Sequence, residues 1–168
     1  MKKQLHLLIA LLVIALVIGG LTYASARYNI KSAANAIASI GKVNFSEESR
    51  RLIDEADKKI AVLDPDLHLT DQIENIESLK AAKVTYVEQA IIRMYRAVRD
   101  RQDESVIREY LADAEEAFEH YLNEEDIPLI HNYQDLIDAR EKYGSKTDQQ
   151  QFKDLREIIS SNTVPDLC

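Results

Sequence analysis

Few residues in this chain are of a type and spacing that could do chemistry. The four histidines, His6, His68, His120 and His131, are scattered, and neither an H-E-x-x-H nor an E-x-x-H motif occurs, so zinc and carboxylate-bridged metal sites lack their ligand pattern. Glu116 and His120 stand four residues apart and read as a surface pair. The acidic runs Glu115-Glu116 and Glu124-Glu125-Asp126 lack the Asp-x-Asp-x-Asp-Gly spacing of a calcium loop and read as solvated helix faces and ends. The single cysteine, Cys168, excludes an intramolecular disulfide and sits in a tail with no fixed neighbours, and no serine lies in a Gly-x-Ser-x-Gly elbow. These residues predict a protein that is not an enzyme and holds no metal or cofactor.

Binding chemistry has two candidates. Arg93, Arg96 and Arg101 form a cationic cluster in an otherwise acidic region, where they could meet an acidic partner or cell-wall phosphates, although internal pairing with Glu104, Glu109 and neighbouring acids is favoured. His131-Asn132-Tyr133 opens a predicted helix and could present an imidazole and an amide to a ligand. An asparagine also recurs at the matching point upstream, Asn75, which favours a structural hydrogen bond. Tyr86, Tyr110, Tyr121, Tyr133 and Tyr143 fall on apolar stripes and are expected in the core, with hydroxyls outward.

The elements that must position these residues are helices. In 168 residues there are only 4 Gly and 3 Pro and no Trp, so turn-rich strand architectures lack their punctuation. Residues 1–43 carry five cations and no acid, which leaves 16 cations against 29 acids in residues 44–168, a net of −13. A surface of that charge should repel nucleic acid and anionic lipid.

From Leu7 to Ala26 about twenty residues run without a charge, enough to cross the hydrocarbon layer of a bilayer. Lys2 and Lys3 should hold its start in the cytoplasm, with the rest of the chain outside. The predicted location is the cell membrane, single-pass. Ala24-Ser25-Ala26 also fits a signal-peptidase site, and Gly19-Gly20 would break the helix before it, so secretion after cleavage near Ala26 is the alternative.

Beyond the membrane segment, Ile30, Ala33, Ala34, Ile37 and Ile40 keep helical spacing and could continue the membrane helix to Gly41. Ser46 is placed to cap a helix through Leu63, ended by Asp64-Pro65. Asp71 and Glu74 resemble a capping box opening a helix of about thirty residues to Arg101. Asp103 should cap a fourth helix to Leu122. Pro128 should start a fifth that Gly144 closes as a C′ residue, and a short sixth should run from Thr147 through Ile159.

Aligned on itself, the chain matches Asn75…Leu79…Ala82…Tyr86 with Asn132…Leu136…Ala139…Tyr143 at offset 57. It also matches Leu52, Ile53, Ala56 and Ile60 with Tyr110, Leu111, Ala114 and Phe118 at offset 58. With Ala36-Ile37…Ile40-Gly41-Lys42-Val43 and Ser49…Ile53…Ala56 ahead of the first copy, residues 35–143 resemble the tandem three-helix repeats of Gram-positive bacterial secreted and cell-surface proteins. The resemblance implies an all-α fold in which the N-terminal transmembrane or signal helix (1–27) is followed by two tandem three-helix-bundle modules (28–86 and 87–145) that share one long helix, with 146–168 as a short helix and tail. It further implies a spacer or binding module. The expected role is a helical interaction or scaffold module outside the membrane, in contact with the membrane through residues 7–26 and with another envelope protein. Binding of cell-wall glycan or teichoic acid is the alternative.

Overall fold

The computed structural model describes residues 2–63 and 68–144, with side chains from residue 12 onward, and every regular element among them is helical. Helix α1 spans Lys2–Ala38, α2 Glu47–Ala61, α3 Ile76–Arg99, α4 Glu104–Tyr121 and α5 Tyr133–Tyr143. Short 3₁₀ turns at Leu69–Gln72 and Glu124–Leu129 precede α3 and α5. The all-α expectation holds. The predicted sixth helix, Cys168 and the Asp64-Pro65 stop lie outside the described residues.

The chain divides into two compact units. Unit 1 comprises Met1–Lys42 and Ser46–Ala82, and unit 2 comprises Val43–Phe45 and Lys83–Cys168. Helix α3 is continuous from one to the other, giving Ile76–Ala82 to unit 1 and Lys83–Arg99 to unit 2.

Helix α1 is a single uninterrupted element of 37 residues. The break expected at Gly19-Gly20 does not occur, because a glycine costs only about 1 kcal/mol relative to alanine in a long apolar helix. Thr22 instead turns its hydroxyl back to donate to the Gly19 carbonyl at 2.9 Å. The side chains of Leu12–Tyr23 have no protein cover; Leu16 and Leu21 are 68% and 67% exposed. This N-terminal stretch is long and apolar enough to cross a membrane or to act as a signal sequence. Burial begins further along the same helix and is complete at Ala33 and Ile37.

In unit 1, α2 packs along α1 and buries Ile53 and Ala56. Ser46 caps α2 as its sequence position suggests, its hydroxyl accepting from the Ser49 amide at 3.3 Å. The helix stops at Ala61, two residues short of the expected end. The turn before it contains Gly41 at φ +61, a left-handed conformation that glycine adopts without steric cost.

The Asp71/Glu74 capping box does not form. Leu69–Gln72 makes a 3₁₀ turn, and Ile73 then takes extended backbone at φ −85, ψ 108, so α3 begins only at Ile76. Leu69 and Ile73 are both buried, and the extended residue places them inward ahead of the helix. Pro128 likewise does not open α5. It lies inside the second 3₁₀ turn, whose own capping box joins Asn123 and Asp126, and Ile130 at φ −96, ψ 106 separates that turn from α5.

In unit 2 the buried residues include Val87, Ile91 and Met94 of α3, Ile107, Leu111 and Ala114 of α4, and Leu136 and Ala139 of α5. Each large side chain among them contributes about 1.5–3 kcal/mol by leaving water. Asp103 begins α4 as expected, although its backbone carbonyl does the work, accepting from Val106 and Ile107. Gly144 follows α5 with φ −59, so it is not the left-handed C′ residue its type suggested.

Candidate functional site

The cationic cluster comes apart in three dimensions. Arg93 leaves α3 toward α4, donating to Asp113 at 3.2 Å and lying over the Tyr110 ring at 3.8 Å, with the Phe45 ring 5.6 Å away. Its guanidinium is thus committed within unit 2. Arg96 is exposed on the last turns of α3. Arg99, which the sequence did not single out, donates to Asp100 at 2.8 Å. That hydrogen bond, with the nearby charges of Arg99 and Arg96, holds the Asp100 carboxyl below its ordinary range. Internal pairing therefore occurs, with Asp113 as the acid that Arg93 meets; among the described residues neither Glu104 nor Glu109 bonds to the cluster, and Glu104 pairs with Arg108 at 2.7 Å.

Arg101 sits in an unusual place. The amide of Gln102 bonds the Ala97 carbonyl at 3.0 Å and the amide of Arg101 bonds the Val98 carbonyl at 3.2 Å, which together make the Schellman closure of α3. The left-handed residue such a closure needs is usually glycine. Here it is Arg101, at φ 53 and exposed. A side chain in that conformation costs about 1–2 kcal/mol.

The two asparagines have matching surroundings. Asn75 donates its amide to the Ala34 carbonyl of α1 at 3.1 Å, and Asn132 donates to the Glu88 carbonyl of α3 at 3.2 Å. The backbone repeats around them at offset 57: Ile73 to Thr70 beside Ile130 to Ile127, Ile76 to Ile73 beside Tyr133 to Ile130, and Ser78 to Asn75 beside Asp135 to Asn132. Asn132 stands at the N-cap position of α5 yet makes no capping bond, since its amide is spent on the neighbouring helix. The Oδ1 of each asparagine is buried with no hydrogen-bond partner. Their role is structural, as the recurrence suggested.

His131 points its Nδ1 at Glu88 Oε1, 2.7 Å away, and its backbone amide donates to the same oxygen at 2.9 Å. The imidazole is 91% exposed, so Glu88 ties down the entry to α5 rather than completing a pocket. Among the described residues no group of three or more His, Cys, Asp or Glu could hold a metal ion. Tyr86 and Tyr121 are buried and stack edge to face at 5.4 Å, and Phe45 packs on Tyr86 at 5.0 Å. The strongly exposed tyrosines are Tyr23, Tyr28 and Tyr95, none of them from the stripes.

Glu88, Asp113 and the Arg140–Glu115 pair, at 2.5 Å, were missed by the sequence reading. Each bond joins residues at least twenty positions apart, and no local pattern announces it. Comparison with known protein families, with curated proteins and with solved structures found no match to this chain.

Proposed function

We propose that this chain is a non-enzymatic protein of the cell envelope, anchored by α1, whose helical units present an interaction surface to another protein outside the membrane. The anchor reading is supported by the continuity of α1. The Ala24-Ser25-Ala26 segment lies inside that helix, where its backbone groups are engaged in the helical ladder and would have to unwind to pair with a protease in extended form. Residues 7–26 then cross the bilayer, and Arg27–Ala38 belong to unit 1.

The observation that carries the interaction role is Arg101. A residue that closes a helix in left-handed conformation, where glycine would be more stable, marks a position held for something other than folding. Its exposed guanidinium, with Arg96 and the 45% exposed Tyr95 on the preceding turns, suits an acidic surface on a protein partner. The alternative, recognition of wall glycan or teichoic acid through Arg93, Arg96 and exposed tyrosines, would first have to break the bond of Arg93 to Asp113 and its stack on Tyr110. A duplication of one three-helix module, as the matching asparagine geometry suggests, would give a scaffold on which the second copy acquired the binding residues.

Crosslinking of the full-length protein in its own membrane, followed by identification of what co-purifies, tests the proposal. It expects one protein in stoichiometric yield from the parent and little from an Arg96→Glu, Arg101→Glu variant. Recovery of wall fragments alone, equal for both, would reject it.

A further inference from the structure

The membrane-proximal end of unit 1 has a chemistry that the overall acidity of the chain conceals. Arg27 and Lys31 of α1 line an open cleft of about 660 Å³ together with Asn35, Gln72 and Glu74. Beside it, Lys58 and Lys59 at the C-terminal end of α2 line a second cleft of about 360 Å³ with Tyr28 and Ser32 of α1. Helix α2 therefore runs back along α1 and delivers two further lysines to the level where the apolar run ends. Tyr28 lies two residues past Ala26, about 3 Å along the helix axis, and the headgroup layer is about 5–7 Å deep on each face of a bilayer.

Four cations thus share that level with two lining carboxylates. One of these, Glu55, lies 3.4 Å from Arg51 and is partly neutralised by it. Lys31, Lys58 and Lys59 are exposed, and none is in an ion pair among the described residues. Tyr23 and Tyr28 are 64% and 74% exposed, with the Arg27 guanidinium 5.6 Å from the Tyr23 ring, and Val62 at the end of α2 is 65% exposed. Aromatic rings, long cations and an apolar side chain at one level are the composition of a membrane interface.

We propose that this end of unit 1 docks on the phosphate headgroups of anionic phospholipids in the bilayer that α1 crosses, with Lys58 and Lys59 as its main contacts. The inference rests on the anchor reading above. It adds that unit 1 is seated on the lipid surface instead of standing clear of it, and that the sequence-wide expectation of repulsion from anionic lipid fails at this one face.

The full chain is reconstituted in nanodiscs of phosphatidylcholine alone or mixed equally with phosphatidylglycerol. Acylation of each lysine by a water-soluble amine reagent is then read by mass spectrometry. The surface potential of an anionic leaflet concentrates protons and lowers the reactive amine fraction about threefold. Lys58 and Lys59 should be labelled about threefold more slowly in the phosphatidylglycerol discs. Lys42 should be unaffected: it follows the end of α1 at Ala38, which is itself about 10 Å along the axis from Lys31 and outside the roughly 8 Å Debye length.

A Lys58→Glu, Lys59→Glu variant should stay in the disc and lose enrichment of phosphatidylglycerol among its retained lipids. Equal labelling in both discs, with the chain resistant to carbonate extraction, overturns the headgroup contact and leaves the anchor standing. A chain released by carbonate overturns both. Protection by inorganic phosphate in phosphatidylcholine discs would reassign the lysines to a soluble anion and overturn the lipid assignment.

Discussion

Replacing Asn132 by aspartate puts the asparagine geometry to a quantitative test. The wild-type amide donates to the Glu88 carbonyl at 3.2 Å while its own Oδ1 is buried without a partner. Asn132→Ala removes a bond worth about 1 kcal/mol, but it also removes an orphaned acceptor whose burial costs about 1–3 kcal/mol, so the net change should stay within about 1 kcal/mol. Asn132→Asp has nearly the same shape and the opposite chemistry: it sets a carboxylate oxygen against a carbonyl oxygen and leaves a charge partly buried. The penalty should reach about 3 kcal/mol or more. Protonation would restore a donor, so the variant's folded-state pKa is raised above its unfolded value near 3.9. The sign follows: the deficit is full at neutral pH and disappears as pH falls below about 4. Urea unfolding of the full chain in non-ionic detergent, followed by helical circular dichroism across that range, reads both effects. Asn75→Asp should behave the same way in unit 1. An alanine variant clearly worse than aspartate, or a deficit independent of pH, would refute the hydrogen-bond assignment.

Other substitutions check the remaining elements. Leu136 is completely buried, and Leu136→Ala should cost about 3 kcal/mol in the same unfolding assay. Arg101→Gly should stabilise the chain by about 1 kcal/mol, since glycine takes the left-handed closure of α3 without strain, while partner recovery in the crosslinking experiment falls. Asp100→Asn should barely move the acid-unfolding midpoint. A carboxyl held low by Arg99 contributes stability that is lost as pH falls through its folded pKa, yet this pair is exposed, and its members are sequence neighbours whose interaction largely survives unfolding.

What was legible in the sequence follows the range of the forces involved. The stripe Ile30–Ile40, the Ser46 cap and the helix from Asp103 to Leu122 are local patterns, and each appears where its residues place it. Asp71/Glu74 and Pro128 gave equally clear local signals that the fold does not use. Burying Leu69 and Ile73, and bringing Asn75 to Ala34, outweighed a surface cap worth about 1 kcal/mol. The Asn123–Asp126 box is a local pattern too, but Pro128 five residues on carries the competing signal of a helix start. Of the site residues, Arg93 could not be assigned from sequence. Its fate depends on Asp113 and Tyr110, about five turns of chain away, and on the stacking geometry between two helices.

The account rests most heavily on α1 remaining whole, because both the anchor and the seating of unit 1 on lipid require it. The direct test is the intact mass and N-terminal sequence of the protein isolated from its own cells, with carbonate extraction of the membrane fraction alongside. The account predicts a carbonate-resistant chain that retains the Leu7–Ala26 segment. A carbonate-soluble protein whose sequence begins at Arg27 would contradict it.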